Sequence, residues 1–200
     1  MDDDAELLAR WREGDRRAGE QLFERYFKTL ARFFRNKGSD RMDDLIQQTV
    51  LGLLEASASF RAEGSFRSFV FGVAYNVLRN HYRAQRRDDA HLDFGETSVF
   101  DLAPDAHELI AHAQEQRLLL QGLRRIPLEH QVLLELYFWE PLGAAEIAAA
   151  LGVPEGTVRT RIRRAKALLQ QALAELSADR ALLESTISNL DDWARALRRG

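Results

Sequence analysis

In the stretch "AGEQLFERYFKTLARFFRNKG", residues 18–38, apolar side chains return every three or four positions: Leu22, Phe23, Tyr26, Phe27, Leu30, Phe33 and Phe34. That spacing suits a helix with one buried stripe, and Gly38 stops it. The same period governs most of the chain. "ELLARWREGD" puts Leu7, Leu8 and Trp11 on one side before Gly14 and Asp15 break the pattern. A third helix over about 43–57 turns Leu45, Ile46, Val50, Leu53 and Leu54 inward. After Gly64, Ser65 or Ser68 can cap a fourth helix that runs through Phe69, Val73, Val77 and Leu78 to Arg87. With helical period nearly everywhere, the fold class is all-α, and residues 1–87 make one compact bundle.

Residues 88–108, "DDAHLDFGETSVFDLAPDAHE", lose the period and carry many acids, which reads as an acidic flexible linker. A second small helical domain follows over 109–176. Beyond it, 177–200 form a C-terminal extension. There Leu183, Ile187, Leu190, Ala194 and Leu197 recur at helical spacing with Leu182 and Trp193 beside them, so an amphipathic helix is expected that wants a surface to dock on.

Composition mainly excludes. No cysteine is present among the 200 residues, so disulfide staples and thiolate metal sites are out. The start, "MDDDAELLARW", lacks the apolar core of a signal peptide, and no apolar run reaches the roughly 20 residues that span a bilayer. A soluble, cytoplasmic protein without membrane insertion is the expectation. The five histidines offer no metal-ligand spacing, and no nucleophile motif or phosphate-binding glycine loop occurs. Neither an enzyme, nor a metal, nor a cofactor is expected.

A formal charge of −3 conceals strong segregation. "RNHYRAQRR" (79–87) and "RTRIRRAK" (159–166) are basic, while 88–115 holds acids and no Lys or Arg. The second basic block lies in "GAAEIAAALGVPEGTVRTRIRRAKALLQQAL", which reads as helix, tight turn, helix. Gly152 permits the turn and Pro154 suits the first position of the second helix. Val158, Ile162, Ala165, Leu169 and Leu173 then form a buried stripe, and Arg159, Thr160, Arg163 and Arg164 point away from it. A helix held by one face with arginines on the other can enter a major groove. A solvated amphipathic helix would share the basic face, but not the preceding helix and turn. The motif alone leaves open a repressor or activator acting without polymerase.

The first domain separates these readings. "DDLIQQTVLGLLEASASFRAEGSFRSFVFGVAYNVLRNHYRAQRR" resembles region two of bacterial RNA polymerase sigma factors of the sigma-70 family, extracytoplasmic-function (ECF) group. "LRRIPLEHQVLLELYFWEPLGAAEIAAALGVPEGTVRTRIRRAKALL" resembles region four of the same group. The resemblance implies a non-catalytic factor that binds core RNA polymerase and directs promoter-specific initiation, with no cofactor. Asp43, Asp44, Leu45, Gln47 and Gln48 match the helix that docks on the largest subunit's clamp helices; region four would meet the flap. Phe60 through Phe66, including Glu63 and Ser65, match the loop that captures a flipped minus-ten base, with Asn76 framing the pocket. Arg79, Arg83, Arg86 and Arg87 would hold phosphates, and Thr157, Arg159, Thr160, Arg163 and Arg164 would read the minus-thirty-five element. In related proteins the acidic connector threads the RNA exit path; the alternative is a passive spacer kept extended by self-repulsion. An anti-sigma factor is a further implied partner, and the free protein is expected to be a monomer. The chain departs from the family at Gln48, often an acid; at Gly72, commonly Arg; and at Pro141 and Gly143, usually Gly and a capping Ser.

Overall fold

The computed structural model describes residues 3–37, 41–56, 65–85, 92–102, 114–140 and 142–188. Ten helices form within them: α1 (Asp4–Arg12), α2 (Arg16–Arg35), α3 (Met42–Ala56), α4 (Phe66–Gln85), α5 (Val99–Leu102), α6 (Gln114–Arg125), α7 (Leu128–Phe138), α8 (Ala144–Leu151), α9 (Glu155–Leu176) and α10 (Arg180–Ser188). Helices α1–α4 make the first bundle and α6–α9 the second, as the all-α reading expects.

The caps explain several boundaries. Asp15 accepts from the amides of Arg17 and Ala18 at 3.0 and 3.3 Å, so it starts α2 while also holding Arg10. Ser65, rather than Ser68, caps α4: its Oγ accepts from Ser68 N at 3.2 Å. Pro154 stands one position before α9, whose first residue is Glu155.

The inward stripes differ in detail from the periodic reading. Phe23 and Phe27 stay 41% and 38% exposed and pair with each other, ring centroids 5.2 Å apart. In α3, Thr49 takes a buried seat and donates its hydroxyl to the Leu45 carbonyl at 2.7 Å, whereas Leu54 turns outward. In α4 the core is made by Phe66, Val70, Phe71, Ala74, Tyr75, Leu78 and Tyr82, with Phe69, Val73 and Val77 at its margin. Seven or more apolar residues on a long helix allow more than one stripe, and the neighbours choose.

The acidic segment has definite structure over 92–102. Phe94, Val99 and Leu102 are buried. Ser98 and Asp101 cap α5 reciprocally, the hydroxyl accepting from Asp101 N at 3.2 Å and the carboxylate from Ser98 N at 3.1 Å. The carbonyls of Thr97 and Phe94 accept from Leu128 N and Glu129 N, both at 2.9 Å. Those amides open α7 and would otherwise lack partners, which is why an unperiodic segment docks there.

The two bundles pack on each other through α4 and α8. A Cβ at Gly72 would lie 3.3 Å from the Ala150 carbonyl oxygen and 3.5 Å from its Cα, so the missing side chain lets the two backbones close. At the C-terminus, α10 lies against α6 and touches α9, half-burying Leu182 and Leu183 and burying Thr186. The remainder of the extension's stripe, beyond Ser188, lies outside the described residues.

Candidate nucleic-acid interface

Helices α8 and α9 form the helix-turn-helix. Gly152 takes φ +66° at the end of α8, the left-handed conformation that a tight exit demands. Glu146 reaches back to accept from Gly143 N at 2.7 Å, so α8 starts well without a capping serine. Val158, Ala165, Leu169 and Leu173 are buried to 1% exposure or less, and they seat α9 on α6, α7 and α8. Arg159, Thr160, Arg163 and Arg164 are all exposed on the opposite side. Thr157 is exposed too, its hydroxyl donating to the Pro154 carbonyl at 2.7 Å.

The five basic residues of 159–166 are not equivalent. Arg161 is ion-paired with Glu129 of α7. The Lys166 ammonium lies 5.1 and 4.9 Å from the ring centres of Tyr137 and Phe138. Arg159, Arg163 and Arg164 have no ion-pair partner among the described residues and face solvent. Two of the cations therefore fasten the helix, and three are available for an anion.

In the first bundle, Asp43, Asp44, Gln47 and Gln48 line an exposed face of α3. Leu45 does not belong to it: at 1% exposure it is a core residue, because it shares the inward side of the helix with Ile46 and Thr49. Leu51 does belong, one turn after Gln47 and 59% exposed. An apolar residue out of phase with the inward stripe was the signal for it. Asn76 is exposed on α4. Phe66 is not available to stack on a base, since it is 5% exposed and packs edge-on against Tyr26 at 5.5 Å. Ser65 is occupied as the cap. Phe60, Glu63, Arg86 and Arg87 lie outside the described residues.

Arg79 and Arg83 both approach the face of Phe94, each 5.4 Å from the ring centre. Arg79 and Arg161 also line one polar cleft with Asp93 and Glu129, where the two bundles and the 92–102 segment meet. Arg79 and Arg83 of α4, expected from the sequence to hold phosphates, are thus in contact with the chain's own 92–102 segment, Arg79 half-buried and Arg83 exposed. Among the described residues no group of three or more His, Asp or Glu could hold a metal ion.

Comparison with known proteins agrees with this arrangement. Residues 22–88 match sigma-70 region 2 and residues 116–169 match sigma-70 region 4. The ECF RNA polymerase sigma factor SigM of Mycobacterium tuberculosis is 31% identical over 176 residues, covering 87% of this chain and 86% of that protein. The chain belongs to the ECF group of the sigma-70 family. The ECF sigma-E factor of Haemophilus influenzae is 26% identical over 184 residues, covering 86% of this chain and 96% of its own. Among solved structures, CnrH in complex with the cytosolic domain of CnrY superposes with a TM-score of 0.63 at 25% identity, covering 88% of this chain and all of that one. The sigma factor RpoE of Bartonella quintana, solved with the anti-sigma factor NepR, shares the fold at a TM-score of 0.57, 19% identity, and 80% and 99% coverage.

As an ECF sigma factor the protein binds core RNA polymerase for promoter recognition and is not an enzyme. The region-two match removes the reading as a repressor or activator that works without polymerase. The cytoplasmic location expected from the sequence goes beyond what the structure gives. What is found is that no described helix is long and apolar enough to cross a membrane, and that fact names no compartment.

Proposed function

We propose that this sigma factor divides promoter recognition between two helices and docks on polymerase through a third. The exposed face of α3, with Asp43, Asp44, Gln47, Gln48 and Leu51, meets the clamp helices of the largest subunit. Two carboxylates beside an exposed leucine suit a basic surface with an apolar centre. Region four contacts the flap. Helix α4 and the residues before it take the minus-ten strand: Phe60 and Glu63 with Asn76 frame an extruded base, and Arg79, Arg83, Arg86 and Arg87 hold phosphates. Helix α9 reads the minus-thirty-five element through Arg159, Thr160, Arg163 and Arg164, with Thr157 at its start.

The observation that carries this reading is the division of α9. Val158, Ala165, Leu169 and Leu173 are buried by packing and Ile162 half-buried, while three arginines have no ion-pair partner among the described residues on the far side, after a left-handed glycine turn. Among the described residues that surface has no ion pair to keep it in place. An anti-sigma factor is the further partner proposed, since CnrH, at 25% identity, was solved with a polypeptide partner. The free protein acts as a monomer, and acids of the connector follow the RNA exit path once it is in the holoenzyme.

Permanganate footprinting of unpaired thymines tests the minus-ten assignment. Asn76→Ala or Phe60→Ala is expected to leave holoenzyme assembly and the closed promoter complex intact while strand opening drops. Full opening by both variants on a fully paired template overturns base capture at these residues.

A further inference from the structure

The polar cleft lined by Arg79 and Arg161 has a volume of about 520 Å³, within the range of small-molecule sites. Tyr75 joins Arg79 on its α4 side, and Asp93, Gly95 and Glu129 lie on the other elements that bound it. No single stretch of sequence holds these groups, so nothing local marks the place.

The donors of the cleft are incompletely used. The Arg79 guanidinium carbon lies 5.5 and 5.4 Å from the ring centres of Tyr75 and Phe94. Its Nε is buried without a hydrogen-bond partner, and the side chain has no ion pair among the described residues. A guanidinium flanked by rings and given no acceptor is a fork open to an oxyanion. Tyr75 is only 4% exposed, yet its hydroxyl donates to no acceptor among the described residues. Burial raises its pKa, with the charges of Arg79 and Arg161 opposing, so the hydroxyl stays protonated and able to donate.

The acceptors converge on one point. Asp93 Oδ1 accepts from Gly95 N at 2.7 Å, and Glu129 Oε1 pairs with Arg161. The second oxygens, Oδ2 and Oε2, accept no hydrogen bond among the described residues. A Cβ at Gly95 would lie 3.1 Å from Asp93 Oδ1 and 3.5 Å from Glu129 Oε2. The glycine thus keeps room for one small group between two carboxylates. With two cations and two anions lining the cleft, a nucleotide would meet the acids and a bare cation the arginines. Leu92, Leu151 and Val153 add an apolar wall.

We propose that this cleft binds a small zwitterion with an apolar body, of the kind a neutral amino acid or a dipeptide presents. Its carboxylate accepts from the Arg79 guanidinium and the Tyr75 hydroxyl. Its ammonium sits over Gly95 between Asp93 and Glu129, and its apolar body lies against Leu92, Leu151 and Val153. This goes beyond the assignment of Arg79 to promoter phosphates, and the measurement contains no DNA, so either can fail alone.

The test is calorimetric titration of the full-length protein with L-leucine and with L-leucyl-L-leucine. At least one is expected to bind with a dissociation constant of about 1 mM or tighter. Its N-acetylated form, which lacks the ammonium, and its C-terminal amide, which lacks the carboxylate, should each bind about tenfold more weakly or worse. Arg79→Lys keeps the charge but loses the fork, and Asp93→Asn keeps the shape but loses the charge; each should weaken binding about tenfold. Thermal melts show whether the variants fold, and Asp93, exposed on its segment, carries the test alone if Arg79→Lys does not. No binding of either zwitterion at about 10 mM overturns the proposal. So does equal binding of a form that lacks one charge, or undiminished binding by either folded variant.

Discussion

Among the basic residues of α9, those with partners and those without make opposite forecasts for substitution. Arg159 and Arg163 are exposed and unpaired among the described residues, so replacing either by alanine removes only what it gives to DNA. If each contacts a base edge, the loss is about 1–3 kcal/mol, or roughly 5- to 150-fold in affinity. If instead it meets a phosphate, the salt slope falls by about 0.9 in log–log units with little change in sequence preference. Arg161 is already bonded to Glu129, and both belong to the second bundle. The pair is partly solvated, with side chains 37% and 23% exposed, and contributes at most about 1 kcal/mol to stability. Arg161→Ala should therefore leave promoter affinity within about twofold. Lys166→Ala should behave similarly, because that ammonium lies over two rings of α7. The assay is binding of each reconstituted holoenzyme to a promoter recovered by run-off transcription from a genomic library, measured between 50 and 200 mM salt. Equal losses from Arg159→Ala and Arg161→Ala would refute the reasoning, since pairing would then say nothing about availability.

Other outcomes follow from the packing. Deleting 178–200 removes α10 from α6 and exposes apolar surface that Leu182 and Leu183 half-cover; about 2 kcal/mol is at stake, or roughly 4–8 °C in melting temperature by calorimetry. Tyr82→Phe takes the hydroxyl donor from the Lys37 carbonyl at a buried site and should cost about 1–3 kcal/mol in a denaturant titration. His81 and His130 both have pKa values lowered by burial, with the charges of Arg41 and Arg164 respectively acting in the same direction. Below about 6.5 the unfolded chain takes up protons that the fold refuses, so stability is lost as pH falls from 6.5 toward the lowered values. Thermal melts at pH 7.5 and 5.5 should show the loss, and His130→Gln should reduce it.

Local pattern was enough to establish the long helices (though not the short α5), the glycine turn before α9, and the outward arginines, because each rests on residues within one or two turns of one another. The periodic stripe of α9 left its opposite face no other place to go. The exposed acid and amide face of α3 was legible for the same reason; the period puts Leu45 in the inward stripe, where it is buried, and only the family resemblance counts it with that face. Contacts between distant segments were not legible. Nothing local pairs Lys37 with Glu135, 98 positions away, or Glu140 with Arg32, 108 positions away. The acid-rich 92–102 segment has no period of its own. It is ordered because two amides at the start of α7 lack partners until the carbonyls of Phe94 and Thr97 arrive. Gly72 reads in sequence only as a departure from the family's common Arg, and the approach of Ala150 shows what its missing side chain allows. Helix and face follow from short-range geometry, whereas closure depends on which surfaces meet, and that is decided when two separate stretches of chain compete for the same neighbours.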